Sequence, residues 1–193
     1  MANRNNHRTI LRTAERLFVS RGFDQVTLDE VSRKAHVGKG TIYLYFDNKE
    51  DLYAQVILSG LDEICEEIGR HAAGCKTPDE KLIATARALR GFYRRRRGLI
   101  RVLYTEEFRR KLSCRSLHDD LHERQGRLMR QVGSIISAGA RSGAFRSDVP
   151  PTVIARVFLA SLREAARPNR SGGSRPVALN RLLGVFLDGI RER

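Results

Sequence analysis

The chain has 193 residues, 41% of them apolar and 30% charged, the balance of a globular protein able to bury a core without a disulfide or metal staple. Its apolar runs, such as residues 54–58, fall far short of the ~20 residues a membrane span needs, and segment 1–8 carries no apolar signal core. Three cysteines (Cys65, Cys75, Cys114) without paired spacing point to a reducing, cytoplasmic setting rather than a disulfide framework. Lys and Arg number 36 against 22 Asp and Glu, a formal net charge of +14. Such a chain is drawn to polyanions, nucleic acid first, although anionic membranes and acidic metabolites fit the same charge. The excess is uneven: residues 1–50 hold nine basic against six acidic side chains, whereas seven arginines and no acid lie between Arg87 and Tyr104.

Apolar residues recur at helical spacing almost throughout, with no alternating strand and no fixed repeat, so the fold class expected is all-α with about nine helices. Ile10, Leu11, Ala14, Leu17 and Phe18 form one stripe, and Gly22 stands where a left-handed cap ends a helix. Thr27 and Glu30 have the spacing of a capping box ahead of Leu28, Val31 and Ala35. His36-Val37-Gly38 breaks that helix, with Gly38 expected to take the turn conformation other residues resist. A very short segment follows from Lys39 to Phe46, and Asn48 caps a long helix to about Ala73, with Glu50 and Asp51 in its first turn. Thr77, Pro78 and Glu80 mark the next start, in a helix reaching the arginine run Arg94, Arg95, Arg96 and Arg97. A shorter helix over 99–112, one capped by Ser116 and closing at Ser142-Gly143, one opened by Pro150-Pro151, and a last one from Val177 to Arg191 complete the count. Residues 167–176 read as a polar loop.

Two short helices, 28–35 and 39–45, joined by a three-residue turn are what a helix-turn-helix DNA reader needs. Ile42 and Phe46 pack inward in that arrangement. Lys39, Thr41, Tyr43, Leu44 and Tyr45 remain for the major groove, and Gly40 permits close backbone approach. An ordinary helical hairpin would use the same residues merely as surface and core, and the pattern alone leaves both readings open.

Residues 10–18, 21–23, 26–31 and 35–52 together resemble the DNA-binding signature of the TetR (tetracycline repressor) family, with dense agreement over 7–57. The resemblance implies an N-terminal three-helix DNA-binding domain, residues 1–50, and a larger C-terminal helical bundle, residues 51–193, for effector binding and dimerisation. It also implies a division of labour. Thr27 meets a phosphate with its hydroxyl and nearby N–H groups, Lys39 and Lys49 supply phosphate cations, and Tyr45 offers its hydroxyl to the DNA backbone. Thr41 and Tyr43 are the expected base readers, with Gly40 and Leu44 beside them. A plain N-cap for Thr27 and a solvated charge for Lys49 are the simpler roles. Arg4 and Arg8 are candidates for an arm towards the DNA backbone. Gly38, Leu44 and Tyr45 depart from the family's usual serine, polar residue and histidine, which bears on base preference rather than on general function.

For the C-terminal half, the resemblance implies that helices 151–167 and 177–191 pack against their twofold mates. Val153, Val157, Phe158, Leu162, Leu179, Leu183 and Phe186 are the candidate seam, or fill the monomer's own core. A homodimer reading a palindromic site on double-stranded DNA follows, since one short helix touches few bases. The partner implied in the other direction is a small-molecule effector of unspecified identity. Tyr93, Leu103, Tyr104, Phe108, Leu121 and Leu128 are its candidate pocket, although aromatic stripes are commonly core. Arg94–Arg97 suit either a helix C-terminus in water or a carboxylate or phosphate-bearing effector such as an acyl thioester.

His118 and His122 are four apart and would share a helix face, but Asp replaces the protease glutamate and only Cys114 offers a third ligand, so no metal or other cofactor is expected. No phosphate loop or nucleophilic triad is found, and the chain is not expected to be an enzyme. The function expected is a sequence-specific DNA-binding transcriptional regulator, a repressor released by its effector. A DNA-binding protein controlled by a protein partner, or an enzyme on a helical scaffold, are the alternatives.

Overall fold

The computed structural model describes residues 2–96, 115–166 and 179–192, with side chains from Asn5 onward and, from 115 to 118, backbone alone. Eight α-helices make up the described residues: α1 (Ala2–Arg21), α2 (Leu28–Ala35), α3 (Lys39–Tyr43), α4 (Lys49–Ala72), α5 (Pro78–Arg95), α6 (Arg115–Arg141), α7 (Pro151–Ala165) and α8 (Leu179–Ile190). The expected all-α class stands, and the helix expected over 99–112 lies outside the described residues.

The chain divides into two compact units, one of Met1–Leu61 with Arg96–His122 and the other of Asp62–Arg95 with Glu123–Arg193. The sequence boundary at residue 50 falls in the first turn of α4, whereas the first unit continues to Leu61. The physical reason is burial: Leu52, Tyr53, Val56 and Ile57 on α4 are all buried in the first unit with Ile10, Ala14, Phe18, Val31 and Ile42. Tyr53 stands edge-on to both Phe18 and Phe23, each at 4.9 Å between ring centres, a geometry that adds quadrupole attraction to area burial.

Helix ends follow their caps. Gly22 takes φ +82°, and its N–H donates to the Phe18 carbonyl at 2.9 Å, so the expected left-handed cap of α1 is present. At α2 the turn differs from expectation. His36, not Gly38, enters the left-handed region (φ 54°, ψ 42°), while Gly38 is extended (φ −63°, ψ 148°). The hydrogen-bond register explains this. The His36 N–H donates to Arg33 O and the Val37 N–H to Ser32 O, the paired bonds of a Schellman motif, so the residue directly after Ala35 must turn left. The Thr27 capping box is half formed, because the Glu30 carboxylate pairs with Arg21 at 2.7 Å instead of returning to Thr27. At α5 the box closes fully. Glu80 N–H donates to Thr77 Oγ1 at 3.2 Å, and Glu80 Oε2 accepts from Thr77 N–H at 3.1 Å and Lys76 N–H at 2.8 Å. Those backbone donors hold the Glu80 carboxyl below its ordinary pKa.

In the second unit α5, α7 and α8 pack on one another around Leu82, Leu89, Ile154, Phe158, Leu183 and Leu187. α6 already runs through Ser116, which therefore lies inside the helix and not at its cap. Beyond α6, Gly143 takes φ +73° and Phe145 folds back, fully buried, over Gly139, where an added Cβ would meet its ring at 2.0 Å. Arg146 N–H then donates to Ile190 O at 2.7 Å, clasping the end of α8.

Candidate nucleic-acid interface

Ile42 and Phe46 are buried, which fixes the rotation of α3 and turns its other side to solvent. Lys39 and Gly40 are exposed, Thr41 is half-buried, and Tyr43 and Leu44 stand 52% and 82% exposed. The reading segment is shorter than the 39–45 expected: α3 ends at Tyr43, with Leu44 as its cap and Tyr45 beyond it. The reason is local, since Tyr45 N–H and Phe46 N–H both turn onto the Ile42 carbonyl at 3.0 Å and close the helix.

Polar contacts already preset three of the expected DNA-facing residues. Thr27 is the N-cap of α2, its hydroxyl oxygen accepting from Glu30 N–H at 3.2 Å, so the hydroxyl proton points elsewhere. Lys39 Nζ donates to Asp29 Oδ2 at 2.9 Å, and that carboxylate raises the lysine pKa, keeping the ammonium charged beside the reading helix. Lys49 behaves differently from a loose phosphate cation. Its ammonium donates to Phe23 O at 3.1 Å and Asp24 O at 3.4 Å and sits 4.2 Å above the Phe23 ring, tying the start of α4 to the loop after α1. Tyr45 is half-buried, its ring 5.4 Å from that of His7 on α1.

A separate open groove of about 730 Å³ in the same unit is lined by Arg16, Arg33, Lys34 and His36 among others, and by none of the expected DNA-facing residues.

Of the expected effector residues, Tyr93 and Leu128 are half-buried in the second unit, Leu121 is buried and belongs to the first, and Leu103, Tyr104 and Phe108 lie outside the described residues. The second unit carries an open groove of about 530 Å³ lined by Cys65, Glu66, Arg127, Arg130 and Gln131. Burial pushes the Cys65 thiol pKa up, which keeps it protonated, against an opposing hydrogen bond from Arg127. The helical spacing of Arg127, Arg130 and Gln131 on one face of α6 was the legible signal for this groove. Asp62 on α4 pairs with Arg124 at 3.2 Å and Arg127 at 2.8 Å beside it.

The arginine run is partly spoken for. Arg95 pairs with Glu67 in the second unit, Arg96 pairs with Glu15 in the first, Arg94 is exposed, and Arg97 lies outside the described residues. Of the expected seam, Phe158, Leu162, Leu179 and Leu183 are buried in their own unit, and Phe186 is half-buried with its ring 5.0 Å from Phe158. Val153 and Val157 are 45% and 54% exposed, and Val185, which sequence reasoning missed, is 77% exposed. Among the described residues no helix is long and apolar enough to cross a membrane, and no group of three His, Cys, Asp or Glu could hold a metal. His122 is exposed, and the side chains of Cys114 and His118 lie outside the described residues.

The family model for bacterial regulatory proteins of the tetR family matches residues 10–56, the span of α1–α3 and the start of α4. The transcriptional repressor KstR2 of Rhodococcus jostii is 25% identical over 187 residues, covering 94% of this chain and 89% of that one. FadR of Bacillus subtilis, solved with stearoyl-CoA, has the same fold at a TM-score of 0.77 and 20% identity, covering 95% of this chain and 98% of that one. AibR, solved with isovaleryl coenzyme A and operator DNA, superposes at a TM-score of 0.70 and 21% identity over 96% of this chain and 98% of that one. The matched segment is the one that folds here into the helix-turn-helix, so residues 10–56 carry the DNA-binding segment of the tetR family of bacterial regulatory proteins, and the full-length relatives are transcriptional regulators.

Proposed function

We propose that this regulator is a cytoplasmic repressor that reads a palindromic operator as a homodimer and is released by an acyl-CoA thioester. Residues 1–50 do the reading, and 51–193 bind the effector and the second copy. The observation that carries the DNA reading is α3: Tyr43 and Leu44 stand outward at 52% and 82% exposure on a helix locked by buried Ile42 and Phe46. Apolar and aromatic groups so placed suit thymine methyls and base edges, with Thr41 and Gly40 alongside, while Thr27, Lys39 and Tyr45 take phosphates. Lys49 contributes field more than contact, since carbonyl oxygens already hold its ammonium. Val153, Val157, Val185 and Phe186 form the dimer seam, because Phe158, Leu162, Leu179 and Leu183 are spent in the monomer core.

The effector class rests on the ligands bound to FadR and AibR, stearoyl-CoA and isovaleryl coenzyme A, and on a basic C-terminal half that suits coenzyme A phosphates. Release is a population shift: the thioester favours a dimer whose reading helices are wrongly spaced, and a swing from 99:1 to 1:99 needs about 10⁴-fold preference.

Selection of bound duplexes from a random pool at near-physiological salt tests the reading, repeated with acyl-CoAs of graded chain length. A palindromic consensus that an acyl-CoA dissolves is expected. Binding without consensus that fades steeply with salt would mean that the +14 charge acts alone. A consensus indifferent to every acyl-CoA would remove the thioester effector. Arg94→Glu and Arg95→Glu then ask whether the arginine run holds the coenzyme, the second also breaking the Glu67 pair.

A further inference from the structure

α1 and α2 leave a set of cations without counter-ions. The acids on these two helices are Glu15, Asp29 and Glu30, and each is already spent: Glu15 pairs with Arg96, Asp29 with Lys39 and Glu30 with Arg21. Arg12 and Arg16 on α1 and Arg33 and Lys34 on α2 are exposed, and none of the four has an ion pair among the described residues. Arg16, Arg33 and Lys34 line the open groove of about 730 Å³, which Thr13 and Leu17, both buried, also line. Arg12 and the exposed Arg8 continue from Arg16 along α1 in steps of four residues, ~6 Å of rise each. Like charges at that spacing repel, so the row builds a positive field and adds nothing to the helix.

The partner follows from what this face lacks. The large apolar side chains exposed among the described residues are Tyr43, Leu44, Val153, Val157 and Val185, none of them on α1 or α2. A protein partner needs an apolar or aromatic centre to its interface, and a membrane surface needs an apolar wedge. A sugar-phosphate backbone is bound by charge alone. None of the residues assigned above to the operator lines the groove. We propose that Arg12, Arg16, Arg33 and Lys34 form a second, sequence-independent DNA contact, which holds the phosphate backbone of a duplex other than the one α3 reads. The regulator then bridges two DNA segments. On a chromosome the second segment is a neighbouring stretch of the same molecule, present at high effective concentration.

The test is capture of a second duplex by the full chain. Protein is loaded on beads carrying the consensus duplex in excess, so that the reading helices are filled, and a fluorescent random duplex is added across a salt series. The variant Arg12→Gln/Arg16→Gln/Arg33→Gln/Lys34→Gln keeps good helix formers at exposed positions, which circular dichroism checks. Arg33→Gln/Lys34→Gln stands in if it does not fold. Arg87→Gln/Arg90→Gln/Arg130→Gln/Arg156→Gln, all at exposed positions of the other unit, is the charge-matched control. Wild type and control are expected to capture the random duplex. The groove variant is expected to lose about 10-fold or more of that capture at low salt, with a salt slope lower by about 1 for each cation removed. Its affinity for the consensus duplex is expected to stay within about 3-fold at physiological salt, where the field is screened beyond ~8 Å. No capture by wild type overturns the proposal. An equal loss in the control also overturns it, because net charge alone then acts, as does a fall in consensus affinity as large as the fall in capture, because the face then touches the operator itself. Fluorescent poly-glutamate held more tightly than the duplex through the same four residues would assign the face to an acidic protein instead. A wild type that selects no consensus overturns the reading of α3 and leaves this test standing, with random duplex on the beads.

Discussion

The two units are organised by different physics. In the first, the chemistry sits in a short stretch whose polar and aromatic side chains are displayed on a rotation fixed by Ile42 and Phe46. In the second, the residues that matter most visibly are spent inward, as when Phe158, Leu162, Leu179 and Leu183 disappear into the core and leave three valines outside. The contrast teaches that a reading surface is a local property of one helix, whereas a seam or a ligand groove is what remains after packing has taken its share.

That contrast is open to attack by substitution. The largest effect is expected in the packed unit: Gly139→Ala places a methyl 2.0 Å from the Phe145 ring, and a denaturant melt should lose about 3 kcal/mol, the upper end of ordinary overpacking. An unchanged melting midpoint would show that the turn after α6 repacks freely. In the reading unit, function should fall without stability. Tyr43→Ala should relax one base position by about 2 kcal/mol in binding competition while the melt stays put. Lys39→Ala should weaken binding to all duplexes alike and reduce the salt slope by about 1, and Asp29→Asn, which removes the competing carboxylate, should strengthen binding at low salt.

Smaller effects sharpen the same comparison at helix ends. His36→Gly relieves a left-handed residue and should stabilise the first unit by about 1 kcal/mol, less the chain entropy glycine adds, as read from hydrogen exchange along α2. The smallest effect belongs to Glu80, whose folded-state pKa lies below its unfolded one. Its contribution is complete above the unfolded pKa and is lost as pH falls through the folded one, so α5 should start to fray in mild acid. Glu80→Gln should abolish that acid dependence, which hydrogen exchange at Lys76 and Thr77 would follow.

Much of this was legible from short-range pattern. The caps at Thr27, Asn48, Thr77 and Gly22 all act where the sequence places them, because a cap is a contact between residues three or four apart. The choice between His36 and Gly38 was not legible, although they are neighbours. Glycine is permitted a left-handed backbone but not obliged to take one, and the residue after the last helical turn was decided by where α2 stopped. Glu30 likewise satisfied the box spacing and was drawn off by Arg21, from a different helix.

What the sequence by itself determined is the all-α class, the helix-turn-helix over 28–45, the charge that seeks DNA, and the identity of the side chains on α3. These depend on periodicity and on contacts within a few residues, which the chain carries along its length. Tertiary structure alone decided that Lys49 is tied down by two carbonyls and a ring, that Arg95 and Arg96 answer to glutamates far along the chain, that Val185 faces out, and that His7 reaches Tyr45. Apart from the exposure of Val185, these are meetings of residues remote in sequence, and no spacing rule encodes which long side chain finds which partner once the helices have packed.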